Sequence, residues 1–206
     1  MDIIFKYFQS LNDKQIQQIK YLQELYSFWN MQVNVISRKD IENLYLNHIL
    51  HSLSIAKLIS FKNQTSILDV GSGGGLPGIP LAILFPDVKF HLIDSIGKKI
   101  KVVQAITKEL ALTNVECTQI RVEQLNNKYD FILGRAVSTL PVFYSWVRKR
   151  VSSKSAHSLA NGILYLKGGN IWDEIKQIPG QAIAFPVNTW FEESYFLEKY
   201  IIHIPV

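Results

Sequence analysis

The chain has 206 residues, 48% of them apolar and 19% charged with both signs mixed, which excludes a disordered chain and allows one domain with a full core. Its formal net charge of +5 leans mildly toward a polyanionic partner, and its single cysteine, Cys117, excludes an internal disulfide and a cysteine-based zinc site, so no metal is expected. No apolar run reaches membrane-spanning length and the start, MDIIFKYFQSLNDKQ, lacks the features of a secretion signal, so a cytoplasmic protein with no membrane partner is expected.

The spacing predicts helix over residues 13–60. Ile16, Ile19, Leu22, Leu25, Tyr26 and Trp29 recur at three and four and share one face. Asn12 or Asp13 can cap this helix, and Asp40 can cap a second one carrying Ile41, Leu44, Ile49 and Leu53. From Ser66 the pattern turns to short apolar strands, expected at 66–70, 88–94, 115–121, 129–133 and 162–167, with helices near 78–85, 97–111 and 139–150. Such alternation predicts an α/β fold whose parallel sheet is covered on both faces. The segments QAIAFPVN and SYFLEKYIIHIPV read as two further strands with no helix between them, an antiparallel hairpin closing a seven-stranded sheet. The expected division is an N-terminal helical segment, residues 1–62, packed on a core of residues 63–206.

LDVGSGGGLPGIPLAI, residues 68–83, follows the first predicted strand and holds five glycines between Gly71 and Gly78. In a sheet of this class the first strand-to-helix turn is the usual ligand cradle, and glycine there admits positive φ and close approach of a ligand. Pro77 and Pro80 suit the first turn of the helix that follows. The dinucleotide fingerprint G-x-G-x-x-G fails, because counting from Gly71 its last position is Leu76. What stands instead is D-x-G-x-G-x-G, Asp69 to Gly75, which resembles the first motif of Rossmann-like S-adenosylmethionine-dependent methyltransferases. Asp94, 19 residues after Gly75, ends the second strand, where an acid accepts hydrogen bonds from ribose hydroxyls. A helix N-cap is the alternative reading of Asp94. In IRVEQL after the third strand, Val122 and Glu123 are placed to meet the adenine through a backbone N–H and a carboxylate; an ordinary solvated charge is the alternative for Glu123.

LDVGSGGGLPGIPLAI, LIDSIGKKIK, RVEQL, GRAV and YLKGG occur in the order and spacing of the bacterial small-subunit ribosomal RNA guanine-N7 methyltransferases, and NVISRKDIENLYLNHILHSL is similar to that family's N-terminal segment. The resemblance covers roughly residues 20–170. It departs at His51, where the family often has an acid, and over 150–160. It implies a class I methyltransferase fold, S-adenosylmethionine as cofactor, and 16S ribosomal RNA, free or in the small-subunit particle, as substrate. A monomer is the expectation for the chain, although the sequence carries no sign of its oligomeric state. Cofactor-binding positions are then Gly71, Gly73, Gly75, Leu76, Asp94, Val122, Glu123 and Arg135, and Arg135 and Lys167 are also candidates for catalytic positioning of substrate.

The residues bear on the reaction independently. Guanine N7 carries a free in-plane lone pair and no proton, so its methylation needs alignment and no general base. No Asn- or Asp-Pro-Pro-aromatic motif for exocyclic amines follows the fourth strand, where LGRAVSTLP stands. Cytosine C5 chemistry needs a cysteine nucleophile, and Cys117 sits in an apolar strand pattern as a core residue would. Arg135 stands where it can meet guanine, a phosphate or the cofactor carboxylate; a surface arginine is the alternative. Arg38 and Lys39, then Lys98, Lys99 and Lys101, then Arg148, Lys149, Arg150 and Lys154 are candidate RNA contacts, or solvated faces. Another RNA methyltransferase, a non-catalytic RNA-binding protein of this fold and a nicotinamide-dependent oxidoreductase are the rival readings.

Overall fold

The computed structural model describes residues 1–206. In chain order its elements are α1 (Asp2–Tyr7), α2 (Asp13–Gln32), α3 (His51–Leu53), α4 (Ile55–Leu58), β1 (Ser66–Val70), α5 (Gly78–Leu84), β2 (Lys89–Asp94), α6 (Gly97–Glu109), β3 (Val115–Gln119), β4 (Phe131–Arg135), α7 (Leu140–Val147), β5 (Gly162–Gly168), α8 (Trp172–Ile175), β6 (Ile183–Pro186) and β7 (Lys199–Pro205). The seven strands form one sheet in the order β3-β2-β1-β4-β5-β7-β6. β1 to β5 pair in parallel, while β7 enters antiparallel between β5 and β6. The order reverses between β1 and β4, the switch point where such sheets open a crevice at their carboxyl ends.

Alternate residues of each strand feed opposite faces. Ile67, Phe131, Leu133, Leu164, Leu166 and Ile201 join one apolar layer, which also takes in Ile19, Leu22, Leu25 and Tyr26 of α2 and Val102, Val103 and Ile106 of α6. Leu68, Val70, Ile132, Ile163, Tyr165 and Ile202 join the other, with Leu140, Phe143 and Val147 of α7. Helix α2 is stitched to the sheet layer by buried amides as well. Gln15 Nε2 donates to the carbonyls of Ile83 and Leu84, and Gln18 Nε2 to that of Leu110. These are carbonyls at the ends of α5 and α6, which a helix leaves without internal partners.

Several expectations shift. Asn12 caps α2 with a reciprocal pair of bonds to Gln15, as its position implied. The second helical stretch is not one α-helix but a 3₁₀ turn (Ile41–Asn43), a π-helix (Leu44–Leu50) and the short α3 and α4. Asp40 makes no side-chain cap there; its Oδ1 accepts from Asn47 Nδ2 at 3.0 Å. β4 begins two residues later than expected, because Tyr129 exchanges backbone bonds with Arg150 and Ser152 instead, and it runs on to Arg135, which pairs with Leu166. Between β3 and β4 stands only a 3₁₀ turn (Val122–Gln124), whose Val122 packs in one cluster with Leu140, Phe143 and Val147 of α7. SYFLE forms a 3₁₀ turn (Ser194–Phe196), and the last strand starts at Lys199.

Candidate active site

The glycine loop between β1 and α5 is held from three sides. Gly71, Gly73 and Gly75 have φ of +66°, +58° and +87°, the left-handed region in which a side chain is strained. Asp69 is fully buried below the loop, and its Oδ2 accepts from the Gly78 N–H at 2.9 Å, fixing the start of α5. Burial pushes the Asp69 carboxyl up to about 7. From α2, the buried Tyr26 hydroxyl donates to the Gly74 carbonyl at 2.8 Å. From β2, Asp94 Oδ2 accepts from the Gly73 N–H at 3.0 Å, and its Oδ1 accepts from the Ile96 N–H at 2.9 Å. Asp94 therefore ties the loop to the second strand rather than capping α6, whose N-cap is Ile96. Each of its oxygens keeps a further lone pair for a ligand.

A cavity of about 330 Å³ opens at the carboxyl ends of β1, β2 and β3. Gly71, Asp94, Val122 and Glu123 all line it, together with Lys99 and Trp146. Asp94 is only 6% exposed, whereas Glu123 is exposed and its side chain is free to reach across the mouth. The guanidinium of Arg150 donates to the Glu123 carbonyl at 3.2 Å and steadies this rim. Gly73 is not among the residues that line this cavity; its N–H is tied to Asp94, which does line it, and a Cβ at Gly73 would meet nothing closer than 3.9 Å. Gly75 instead faces inward, where a Cβ would strike Ile79. Leu76 is buried in the core and its N–H bonds to the Ser72 carbonyl, so neither its side chain nor its N–H is turned to the cavity.

Arg135 and Lys167 lie apart from this group. They line a second cavity, about 310 Å³, with His48, His51, Tyr195 and Lys199. The two cavities meet at Ala136, which lines both. Arg135 Nη2 donates to His48 Nδ1 at 2.8 Å, its one hydrogen bond, and no carboxylate lies within ion-pair distance of it. Burial lowers its pKa from the usual value, though its chemistry keeps it a cation. A guanidinium taken from water without a counter-charge needs acceptors, and the cavity is where they would come from. Lys167 is engaged with Glu174 at 3.0 Å, whose other oxygen accepts from the Leu140 N–H at the start of α7. His51 is 5% exposed, packs edge-on against Tyr195 and Phe196, and is held neutral by burial.

Trp146 lines the first cavity and His48, Tyr195 and Lys199 the second, and the sequence singled out none of them. Cys117 is half-buried against the core, with its thiol pushed up to about 11 by burial, so it offers no nucleophile. Among the basic clusters, Lys99 reaches the first cavity and Arg150 its rim; Arg38, Lys39, Lys98, Lys101, Arg148, Lys149 and Lys154 are exposed.

Among solved structures, a precorrin-6y C5,15-methyltransferase from Geobacter metallireducens matches with a TM-score of 0.53 at 12% identity, covering 84% of this chain and 92% of that one. An S-adenosylmethionine-dependent methyltransferase from Aquifex aeolicus matches with a TM-score of 0.52 at 15% identity, over 74% and 89%. At these identities the likeness fixes the fold, a Rossmann-like class I methyltransferase fold. The ribosomal RNA small subunit methyltransferase G of Christiangramia forsetii is 50% identical over 206 residues, all of this chain and 97% of that protein. The protein of the same name from Flavobacterium johnsoniae is 50% identical over all of this chain and 98% of its own length. The GidB family model, described as rRNA small subunit methyltransferase G, matches residues 15–187. With a glycine loop, an acid at the end of β2 and a second cavity beside them, the chain belongs to the GidB family of small-subunit ribosomal RNA methyltransferases.

Proposed function

We propose that this chain transfers a methyl group from S-adenosylmethionine to N7 of a guanine in 16S ribosomal RNA. The observation that carries the reading is the pair of cavities meeting at Ala136, one lined by Asp94, Val122 and Glu123 and one holding a buried guanidinium without a counter-charge. In the first cavity, Asp94 would accept from the ribose hydroxyls and Val122 and Glu123 would meet the adenine, with Gly71 and Gly73 allowing close approach. The fit rests on free acceptor capacity at Asp94 and on open space over Gly73. Leu76 and Gly75 support the loop from behind. S-adenosylmethionine supplies the sulfonium methyl that is displaced in line.

In the second cavity, the guanidinium of Arg135 would donate to guanine O6 and leave N7 free for the methyl group. Lys167, fixed by Glu174, is the second positioning group. No residue need take a proton, since N7 has none to lose. The protein contributes alignment and exclusion of water. The contact of Arg135 with the cofactor's carboxylate that the sequence left open is the lesser reading, because Arg135 lines the second cavity and not the first. Residues 1–62 are read as a helical segment serving a methyltransferase core of 63–206. The substrate is taken to be the RNA alone or within the small-subunit particle, and the chain to act as a cytoplasmic monomer.

The test joins binding and product analysis. S-adenosylmethionine and S-adenosylhomocysteine should each raise the melting temperature, as ligands of the native state do. Mass spectrometry of 16S RNA from cells with and without the gene should place the lost methyl group on guanine N7. A thermal shift with NAD and none with either sulfur compound would sink the reading, as would a methyl group on an exocyclic amine, a C5 atom or a ribose hydroxyl.

A further inference from the structure

His48 sits in the π-helix, 87 residues before Arg135 in the sequence, yet its Nδ1 lies 2.8 Å from Arg135 Nη2. A guanidinium has only donors, so Nδ1 must be the acceptor and the ring proton must stand on Nε2. Nε2 is buried, has no hydrogen-bond partner, and faces Asp40 Oδ2 at 4.0 Å. Asp40 is in turn held by Asn47 Nδ2. Asp40 thus stands beside the imidazole without a hydrogen bond to it, and the bond that leads to the second cavity is the one between His48 and Arg135.

We propose that His48 is a positioning residue: in its neutral, Nε2-protonated form it fixes the guanidinium of Arg135 so that the remaining N–H groups point at the substrate base. The inference rests on the proposed placement of guanine in the second cavity. Arg135 is a long side chain at the end of a strand, and nothing else hydrogen-bonds it. Without His48 its head would be free to rotate or to seek the cavity's water, and guanine would lose its register against the methyl group. The π-helix makes the contact possible. Its wider turn brings Asn47 and His48 to the cavity wall along with His51 one turn on, and such turns recur at functional sites.

The charged and titratable groups around His48 favour the neutral ring. Arg135 approaches from β4, His51 lies on the following turn, and Tyr195 donates to the Asn47 carbonyl from the 194–196 turn. Lys199 of β7 lines the same cavity. Only Asp40 opposes them. Burial first and the Arg135 cation second push the imidazole down to about 4.

The test compares His48→Asn, whose side-chain oxygen falls near the Nδ1 position, with His48→Phe, which keeps the ring shape and removes the acceptor. For wild type, kcat/KM on small-subunit RNA is the reference, and its product must be N7-methylguanine; failure there is failure of the proposed function and not of this inference. His48→Phe is expected to lose about tenfold or more in kcat/KM for RNA while the affinity for S-adenosylhomocysteine stays unchanged, and His48→Asn is expected to recover most of that loss. Equal activity of His48→Phe and wild type, or equal loss in both variants, would overturn the assignment. Should the Phe variant not fold, nitrogen-15 spectroscopy of wild type near neutral pH reads the ring directly. A proton on Nε2 and a bare Nδ1 is the expected result, and an Nδ1-protonated or doubly protonated ring would overturn it.

Discussion

Gly73 has a backbone φ of +58° and no atom other than the Gly71 carbonyl oxygen, at 3.9 Å, near the position of a Cβ. In the proposed function that open space is where the cofactor approaches the loop. Gly73→Val therefore adds a branched side chain in the left-handed region and into that space, so the folded variant should show no measurable S-adenosylhomocysteine binding by calorimetry. Unchanged affinity would place the cofactor elsewhere. Arg135 and Cys117 make a contrasting pair. Arg135→Ala removes the cation that faces the second cavity, and kcat/KM for RNA should fall about a hundredfold, the scale expected for a misplaced reactant. Cys117→Ser should leave turnover unchanged and lower stability by about 1 kcal/mol, since it exchanges a packed thiol for a hydroxyl that wants a partner. Loss of turnover in a folded Cys117→Ser protein would reopen covalent catalysis.

Helix α2 acts on the site without entering it. Its Tyr26 hydroxyl holds the Gly74 carbonyl, and Val35, just beyond it, packs so close to Gly74 that a Cβ there would lie 3.1 Å from it. Tyr26→Phe keeps the ring in the core and removes the bond. It should lower stability by about 1 kcal/mol and weaken S-adenosylhomocysteine several-fold, read by melting and by calorimetry. An unaltered affinity would show that the loop keeps its shape without α2. The elements that sequence could supply are those specified locally. The strand-to-helix turn at 71–78 is written in consecutive glycines and prolines, and Asp94 stands where one strand ends. Its partner Gly73 is near because β1 and β2 are neighbours. The contact between His48 and Arg135 had no such signal, because it joins a helical run to a strand through the tertiary packing. The π-helix left only a faint trace: Ile41, Leu44, Ile49 and Leu53 read as one helical run, in which the step of five from Leu44 to Ile49 alone departs from a spacing of three or four. Tyr129 read as the start of the strand 129–133 in the run of short apolar segments, yet its backbone bonds to residues 150–152 instead of continuing β4.

At the scale of the whole molecule, the five histidines form an unusual set. His48, His51, His91, His157 and His203 are all shifted down, each with burial as the leading cause. Their ordinary value is 6.5, so below that pH the unfolded chain binds protons that the folded chain refuses. Stability then rises with pH in this range, because the unfolded state holds the more protons, and it is lost as pH falls from 6.5 toward the folded values, about 4 for His48. Asp69 runs the other way. Its carboxyl is raised from 3.8 to about 7, so the folded chain binds the extra proton, and that contribution favours the fold at low pH and fades as pH rises through 7. Five groups against one set the sign. The melting temperature should fall as pH is lowered from 7 to 5, and Asp69→Asn, if folded, should steepen the fall by removing the opposing group. Catalysis adds no titration of its own in the upper range, because guanine N7 needs no base and His48 is already neutral. The rate should therefore be flat from about pH 6.5 upward and decline on the acid side only where melting shows the fold failing. A rate that drops by half near neutral pH while the melting temperature holds, and that does so equally in folded Asp69→Asn, whose carboxyl of about 7 is gone, would reveal a catalytic base, and with it a methyl acceptor that carries a proton.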